Sequence, residues 1–286
     1  MDYALPVLPY DARQLPFSDE AIDYHIGTRR RVAFGQLPVC HSPRQNRLLA
    51  ALPDADYERL LPHLELMSLP SGLTLHEAGG HLSFAYFPTA GIMSPLCMMK
   101  NGATLAVAIT GNEGMVGTSL FMGGGIMLNR AVVHSAGHAY RLGAKKLSQE
   151  FDRGGYLCRL LLRYTQSLIT QMAQAAACNR YHSIEQQMCR WLLLSLDRVR
   201  ANELVMTQEL LASILGVRRE GVTKAARKLQ EVGVIRYRRG HITVLNHMAL
   251  EERACECYAV VKGESGRFAS NVRPHASARG QGVIAN

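Results

Sequence analysis

Between Thr207 and Leu245 the chain reads TQELLASILGVRREGVTKAARKLQEVGVIRYRRGHITVL, an order of signals that few folds accommodate. Leu210, Leu211, Ile214 and Leu215 recur at helical spacing, with Thr207 at the N-cap and Glu209 in the first turn. Gly216 can take the left-handed backbone that ends a helix abruptly. A second helix follows, with Val222, Ala225, Ala226 and Leu229 as its apolar stripe and Arg218, Arg219, Glu220, Lys224, Arg227 and Lys228 around it. Val234 and Ile235 begin a strand, Arg238-Arg239-Gly240-His241 turn it, and Ile242 and Val244 alternate inward on the return. Two short helices, a tight glycine turn and a basic hairpin make a winged helix-turn-helix, which places its second helix in the major groove of DNA. Such geometry also occurs in domains that bind no nucleic acid. Here the basic residues gather on the second helix and the wing, with only Glu220 and Glu231 against them, and that footprint favours double-stranded DNA as partner.

The rest of the composition agrees with that reading. A length of 286 residues predicts about two domains with appendages. A net charge of +9 suits a polyanion, though a basic balance alone is weak evidence. No apolar run reaches the ~18 residues of a membrane span, and the N-terminus, with Asp2, Pro6 and Pro9, lacks the basic start and apolar core of a secretory signal. A cytoplasmic protein with no membrane partner is therefore expected, and seven scattered cysteines fit reduced thiols.

Along the chain, residues 1–43 show no steady period and read as a loosely ordered arm. Leu48, Leu49 and Leu52 mark a helix, and Pro53-Asp54 starts another through Tyr57, Leu60 and Leu61. Within 44–150, from Met67 to Leu147, short apolar runs alternate with turn signals such as Ser71-Gly72, Gly79-Gly80, Asn101-Gly102 and Gly111-Asn112, which predicts a sandwich or barrel of β-hairpins. In 151–180, Leu157, Leu161, Tyr164, Leu168, Met172 and Ala175 repeat at near-heptad steps. That seam predicts a long helix packed on another, most simply its own copy in a homodimer; a core helix lying on the β-domain is the alternative. A break near Asn179 to His182 precedes Ser183, a second N-cap, and residues 181–250 form the DNA-binding unit. The extension 251–286 turns polar and Gly/Ser-rich past Val261 and is expected to be largely disordered.

This order, with Gly216-Val217-Arg218-Arg219-Glu220-Gly221-Val222-Thr223-Lys224 matching a G-x-S-R-E-T-V-x-R pattern, resembles the Crp/Fnr family of bacterial transcription regulators over about 44–250. The resemblance implies an α+β chain: a cyclic-nucleotide-binding-like β-roll, a long dimerisation helix and a C-terminal winged helix-turn-helix. It implies that Arg219 and Glu220 read bases, with Lys224 at the place of a second reading Arg. An Arg fork can donate twice to guanine and Glu can accept from cytosine N4, whereas Lys lacks the planar fork and should discriminate less. Arg218 stands where the family has a small Ser and is assigned to phosphate, together with Thr207, Gln208, Arg227, Arg238, Arg239 and His241.

The ligand pocket departs from the family pattern. Gly117 and Thr118 align with the segment whose Glu holds the ribose, and Asn129 falls where an Arg would grip the phosphate. Arg130 is one residue away, which in a strand turns its side chain to the opposite face. A degenerate pocket is expected, with no cofactor and an unidentified small-molecule effector. No metal site is expected either. Cys40 is the only cysteine before Cys97, and Cys255-x-Cys257 near His247 lacks C-x-x-C spacing; on a helix, cysteines two apart point away from one another.

The sequence thus predicts a homodimeric regulator on a pseudo-palindromic site, an activator or a repressor, with RNA polymerase as a further partner in the first case. A constitutive, signal-free DNA-binding regulator is the alternative. An enzyme using Gly123 to Gly125 to cradle phosphate is a distant one, because no phosphate-loop pattern and no nucleophile–base motif accompanies them.

Overall fold

The computed structural model describes residues 41–124, 126–199 and 201–270. The expected N-terminal arm, apart from residues 41–43, lies outside the described residues, as do Gly125 and everything beyond 270.

Two short helices, α1 (Arg47–Ala50) and α2 (Asp54–Leu60), lead into a five-stranded antiparallel sheet. Buried Asn46 caps α1 through its side-chain oxygen and donates from its amide to the carbonyls of Pro88 and Gly114, which fixes α1 on the sheet. The strands are β1 (Leu64–Leu69), β2 (Thr74–His76), β3 (Phe84–Met98), β4 (Thr104–Ala106) and β5 (Arg130–Gly143), in the order β1-β5-β3-β4 with β2 also on β5. The long β3–β5 ladder shifts register between Pro88 and Met93; bulges of this kind add bend and twist, so the ladder curls into the expected roll. Asn101-Gly102 turns β3 into β4 as its signal predicted.

Helix α3 (Ala144–Asp152) follows directly from β5, and α4 (Tyr156–Tyr181) comes next in a single run. The predicted seam of α4 needs correction. Leu157, Leu161 and Tyr164 are buried in their own chain, against Leu49, Phe87, Met115 and Leu142, and Leu168 packs at the edge of that cluster. Tyr164 donates to the Met115 carbonyl at 2.8 Å, and Gln171 accepts from the Ile109 amide at 2.6 Å. The heptad spacing identifies a buried stripe but cannot say what covers it: as far as Leu168 the β-domain does, and Met172 and Ala175 lie beyond that cluster.

The chain breaks at His182, in extended backbone, and restarts at Ser183 with a capping box to Gln186. Helix α5 (Ile184–Leu196) is almost wholly buried. Beyond it come β6 (Glu203–Val205), α6 (Gln208–Leu215), α7 (Arg219–Glu231), β7 (Ile235–Arg238) and β8 (His241–Val244), with β6-β8-β7 as a second antiparallel sheet. Their core is continuous with Ile92, Leu96, Ala106 and Ile109 of the roll. Two polar ties hold the same junction: the Thr104 and Ser213 hydroxyls meet, and Arg198 bridges Glu113 at 2.7 Å with both side chains largely buried.

Two helices close the described chain, α8 (His247–Arg253) and α9 (Cys257–Ser270). The expected disorder past Val261 is corrected as far as Ser270: α9 packs on α4 and α5, burying Tyr258 and Val261.

Candidate nucleic-acid interface

Helix α6 starts where the Thr207 hydroxyl accepts from the Leu210 amide at 3.1 Å, and buries Leu211, Ala212, Ile214 and Leu215. Gly216 adopts φ 65°, and a side chain there would bring its first carbon to 3.0 Å from Leu105 of the roll. Only glycine allows both the left-handed turn and that approach. Helix α7 then buries Val222, Ala225, Ala226 and Leu229. Its opposite face carries Arg219, Glu220, Thr223, Lys224 and Arg227 into solvent, at the three- and four-residue steps that share a helix face. Gly221 lets α7 close on α5, where a side-chain carbon would stand 2.6 Å from Ile184.

The wing turns through Arg239 at φ 51° and Gly240 at φ 81°, two successive positive φ values that suit a two-residue hairpin. Arg238, Arg239 and His241 are exposed on it. Between α6, α7 and the wing lies an open cleft of about 510 Å³ to which Thr207, Gln208, Arg219, Tyr237 and Arg239 contribute. Gln208 accepts from Thr223 at 2.8 Å, tying the start of α6 to α7, and Tyr237 donates to the Met206 carbonyl at 2.8 Å. The structure therefore brings Thr207, Gln208, Arg219 and Arg239 around one opening, with Glu220 and Lys224 alongside on α7.

The charges are less one-sided than the sequence implied. Arg227 pairs with Glu231 at 2.8 Å, Lys228 with Glu185 at 2.9 Å, and His241 meets Glu203. The first pair is solvent-exposed, so it is weak and can yield to a phosphate. Two exposed residues escaped the sequence reading: Arg236 on the outer face of the wing and Thr223, one turn after Arg219. Counting four onward from Arg219 would have found the second.

In the roll, Gly117 takes φ 108° ahead of the single helical turn 118–120. Arg130 donates to the Thr74 hydroxyl at 2.8 Å and pairs with Glu77 at 3.5 Å, while the Cys97 thiol donates to Asn129 at 3.3 Å. Both candidate pocket residues are thus engaged with β2 and β3 rather than with the Gly117-Thr118 turn.

With this geometry in hand, residues 186–253 match the model of the Crp-like helix-turn-helix domain. The chain carries a Crp-like helix-turn-helix domain. No curated protein sequence matches the chain. Among solved structures, a transcriptional regulator of the Crp/Fnr family from Eubacterium rectale superposes with a TM-score of 0.59 at 17% identity, covering 72% of this chain and 96% of that one. FixK2 from Bradyrhizobium japonicum gives 0.56 at 13% identity, over 67% and 98%. The c-di-GMP-responsive global regulator CLP of Xanthomonas campestris gives 0.54 at 17%, over 68% and 100%. The Crp-like domain therefore sits at the end of a chain with the Crp/Fnr fold: roll, long helix, winged helix. No described helix is long and apolar enough to cross a membrane.

Proposed function

We propose that this protein is a sequence-specific transcription regulator that binds DNA as a homodimer on a pseudo-palindromic site. The observation that carries the reading is the solvent face of α7, where Arg219, Glu220 and Lys224 stand exposed beside a cleft edged by Thr207 and Arg239. Arg219 and Glu220 supply base contacts and Lys224 a looser one; Thr207, Gln208, Arg218, Arg227, Arg238, Arg239 and His241 position the backbone.

The dimer face differs from the seam first read. Offset by one residue on α4, Cys158, Leu162, Thr165, Ile169 and Ala176 form, together with Met172 of the first seam, a second four–three repeat, and Leu162 and Ile169 remain 52% and 53% exposed. Leucine and isoleucine left open at heptad spacing, on a helix whose other side is buried, favour a second copy of α4 as partner. Two recognition helices would then enter successive major grooves about 34 Å apart.

Selection of bound sequences from random duplex DNA tests this directly. Half-sites related by two-fold symmetry one turn apart are expected. Arg219→Ala should weaken cognate binding by ~1–3 kcal/mol and flatten preference at one position. An unchanged base preference in that variant would refute the assignment. The pocket contacts of Arg130 and Asn129 favour one variation: a regulator that needs no small ligand at the Gly117–Thr118 site, so that selection succeeds without added effector.

A further inference from the structure

The sulfur atoms of Cys178, Cys255 and Cys257 and a ring nitrogen of His182 all lie within 4.8 Å of one another. Cys178 and His182 stand one turn apart at the end of α4; Cys255 lies between α8 and α9, and Cys257 is the first residue of α9. The expectation that the last two point apart assumed a helix. After the α8 cap at Ala254 (ψ 157°), Cys255 precedes the first turn of α9, so both sulfurs reach the same place. His247, the partner first considered, instead faces Glu251 at 3.8 Å.

We propose that these four side chains form a closed mononuclear zinc site that staples the end of the long helix to the C-terminal segment. The contact from Cys178 to Cys255 is 3.5 Å between sulfurs, and that from Cys257 to His182 Nδ1 is 3.4 Å. With metal–sulfur bonds of ~2.3 Å and metal–nitrogen bonds of ~2.0 Å, the edges of a tetrahedron measure about 3.5–3.8 Å. The cluster is already near that size. An iron–sulfur cluster spreads its ligands over several irons and needs them further apart. Three thiolates and one imidazole on tetrahedral corners select zinc among common divalent ions.

The surroundings are those of a built site. The three cysteines are at most 4% exposed. His182 turns Nδ1 inward and meets Glu256 through Nε2 at 3.2 Å, a carboxylate that fixes the orientation of the ring. Gln174 donates to the Cys257 sulfur at 3.1 Å. Buried Arg190 on α5 places a positive charge near Cys178, and its Nε has no protein hydrogen-bond partner. Zinc with three thiolates and a neutral imidazole carries one negative charge, which that guanidinium offsets. On binding, the thiol protons leave to solvent and no electron is transferred. All four positions are filled by protein, so the site is structural: it clamps the helix break at His182, where the chain passes from the long helix into the Crp-like domain.

The test uses the full-length protein purified under reductant without chelator, with metal measured by mass spectrometry. One zinc per chain is expected. Replacement by cobalt should give the visible spectrum of tetrahedral thiolate cobalt, a readout on wild-type protein that no folding defect can mimic. Cys178→Ser and Cys255→Ser should lose the metal and the spectrum, and Cys97→Ser should keep both. Glu256→Gln should retain one metal with affinity weakened by ~10–100-fold. Protein that takes up neither zinc nor cobalt after reconstitution would overturn the proposal. So would stoichiometric iron with sulfide, or a Cys178–Cys255 disulfide in the reduced preparation.

Discussion

Replacing His134 should remove much of this protein's sensitivity to mild acid. His134 lies on β5 at 1% exposure, with its ring edge-on to Trp191 of α5 at 6.2 Å between centroids. Neither ring nitrogen has a protein partner. Burial alone pushes its pKa from 6.5 down to about 4, so the folded protein holds a neutral imidazole where roll and α5 meet. The folded value is below the unfolded one. Between about pH 6.5 and 4 the unfolded chain therefore binds a proton that the native chain refuses. Stability from this residue is complete above pH 6.5, falls as pH drops, and is fully lost below about 4. At ~1.4 kcal/mol per pH unit the whole effect is about 3 kcal/mol, of which about 2 kcal/mol is lost by pH 5. That is a large share of a total stability on the order of 5–15 kcal/mol. Urea unfolding of wild type and His134→Leu from pH 7.5 to 5 measures it. Every other titrating group is common to both chains, so the two stability curves should converge by about 2 kcal/mol in favour of the variant. Parallel curves would show that the native state accepts the proton after all, and that burial does not control this histidine.

Three further outcomes follow from the packing of α6 and α4. Gly216→Ala forces a side chain into φ 65° within 3.0 Å of Leu105, and should destabilise the protein by ~1–3 kcal/mol in the same unfolding assay; a neutral result would mean that α6 and the roll do not meet as described. Ile169→Glu places charge on the exposed face of α4 and should leave a folded monomer in sedimentation velocity, whereas Leu157→Ala should lower stability by ~2–5 kcal/mol because that side chain is in the core. A dimer that survives Ile169→Glu would remove the exposed seam as its interface.

The helix-turn-helix was legible residue by residue because its signals are local. Thr207 caps, Gly216 breaks and Arg239-Gly240 turns through hydrogen bonds and φ values set within a few positions of each. The neighbouring strand β6 was not legible: three residues with one buried side chain, Leu204, carry too little period to stand out. Helix α4 was legible in extent and ambiguous in orientation. Leu161 and Leu162 are adjacent, and a repeat of fours and threes runs through either; only the position of the β-domain decides that Leu161 is covered and Leu162 is left exposed.

The C-terminal segment shows the opposite limit. The stretch from Lys262 to Ser270 is polar and contains two glycines, and its own composition cannot hold a helix in water. What holds α9 is tertiary: Tyr258 and Val261 enter the core shared with α5, and Cys257 reaches α4 through Gln174. The same non-locality hid the metal ligands. Cys255-x-Cys257 lacks half of a zinc motif within its own neighbourhood, and the missing half is Cys178-x-x-x-His182, with 77 residues separating the two cysteines that touch. Each half alone is a weak pattern: two residues on one helix face, or two thiols in a turn. They become a donor set only because α9 folds back onto α4. A zinc ion there would in turn hold α9 in place, supplying the stability that its sequence lacks, so folding of the segment and formation of the site are one event.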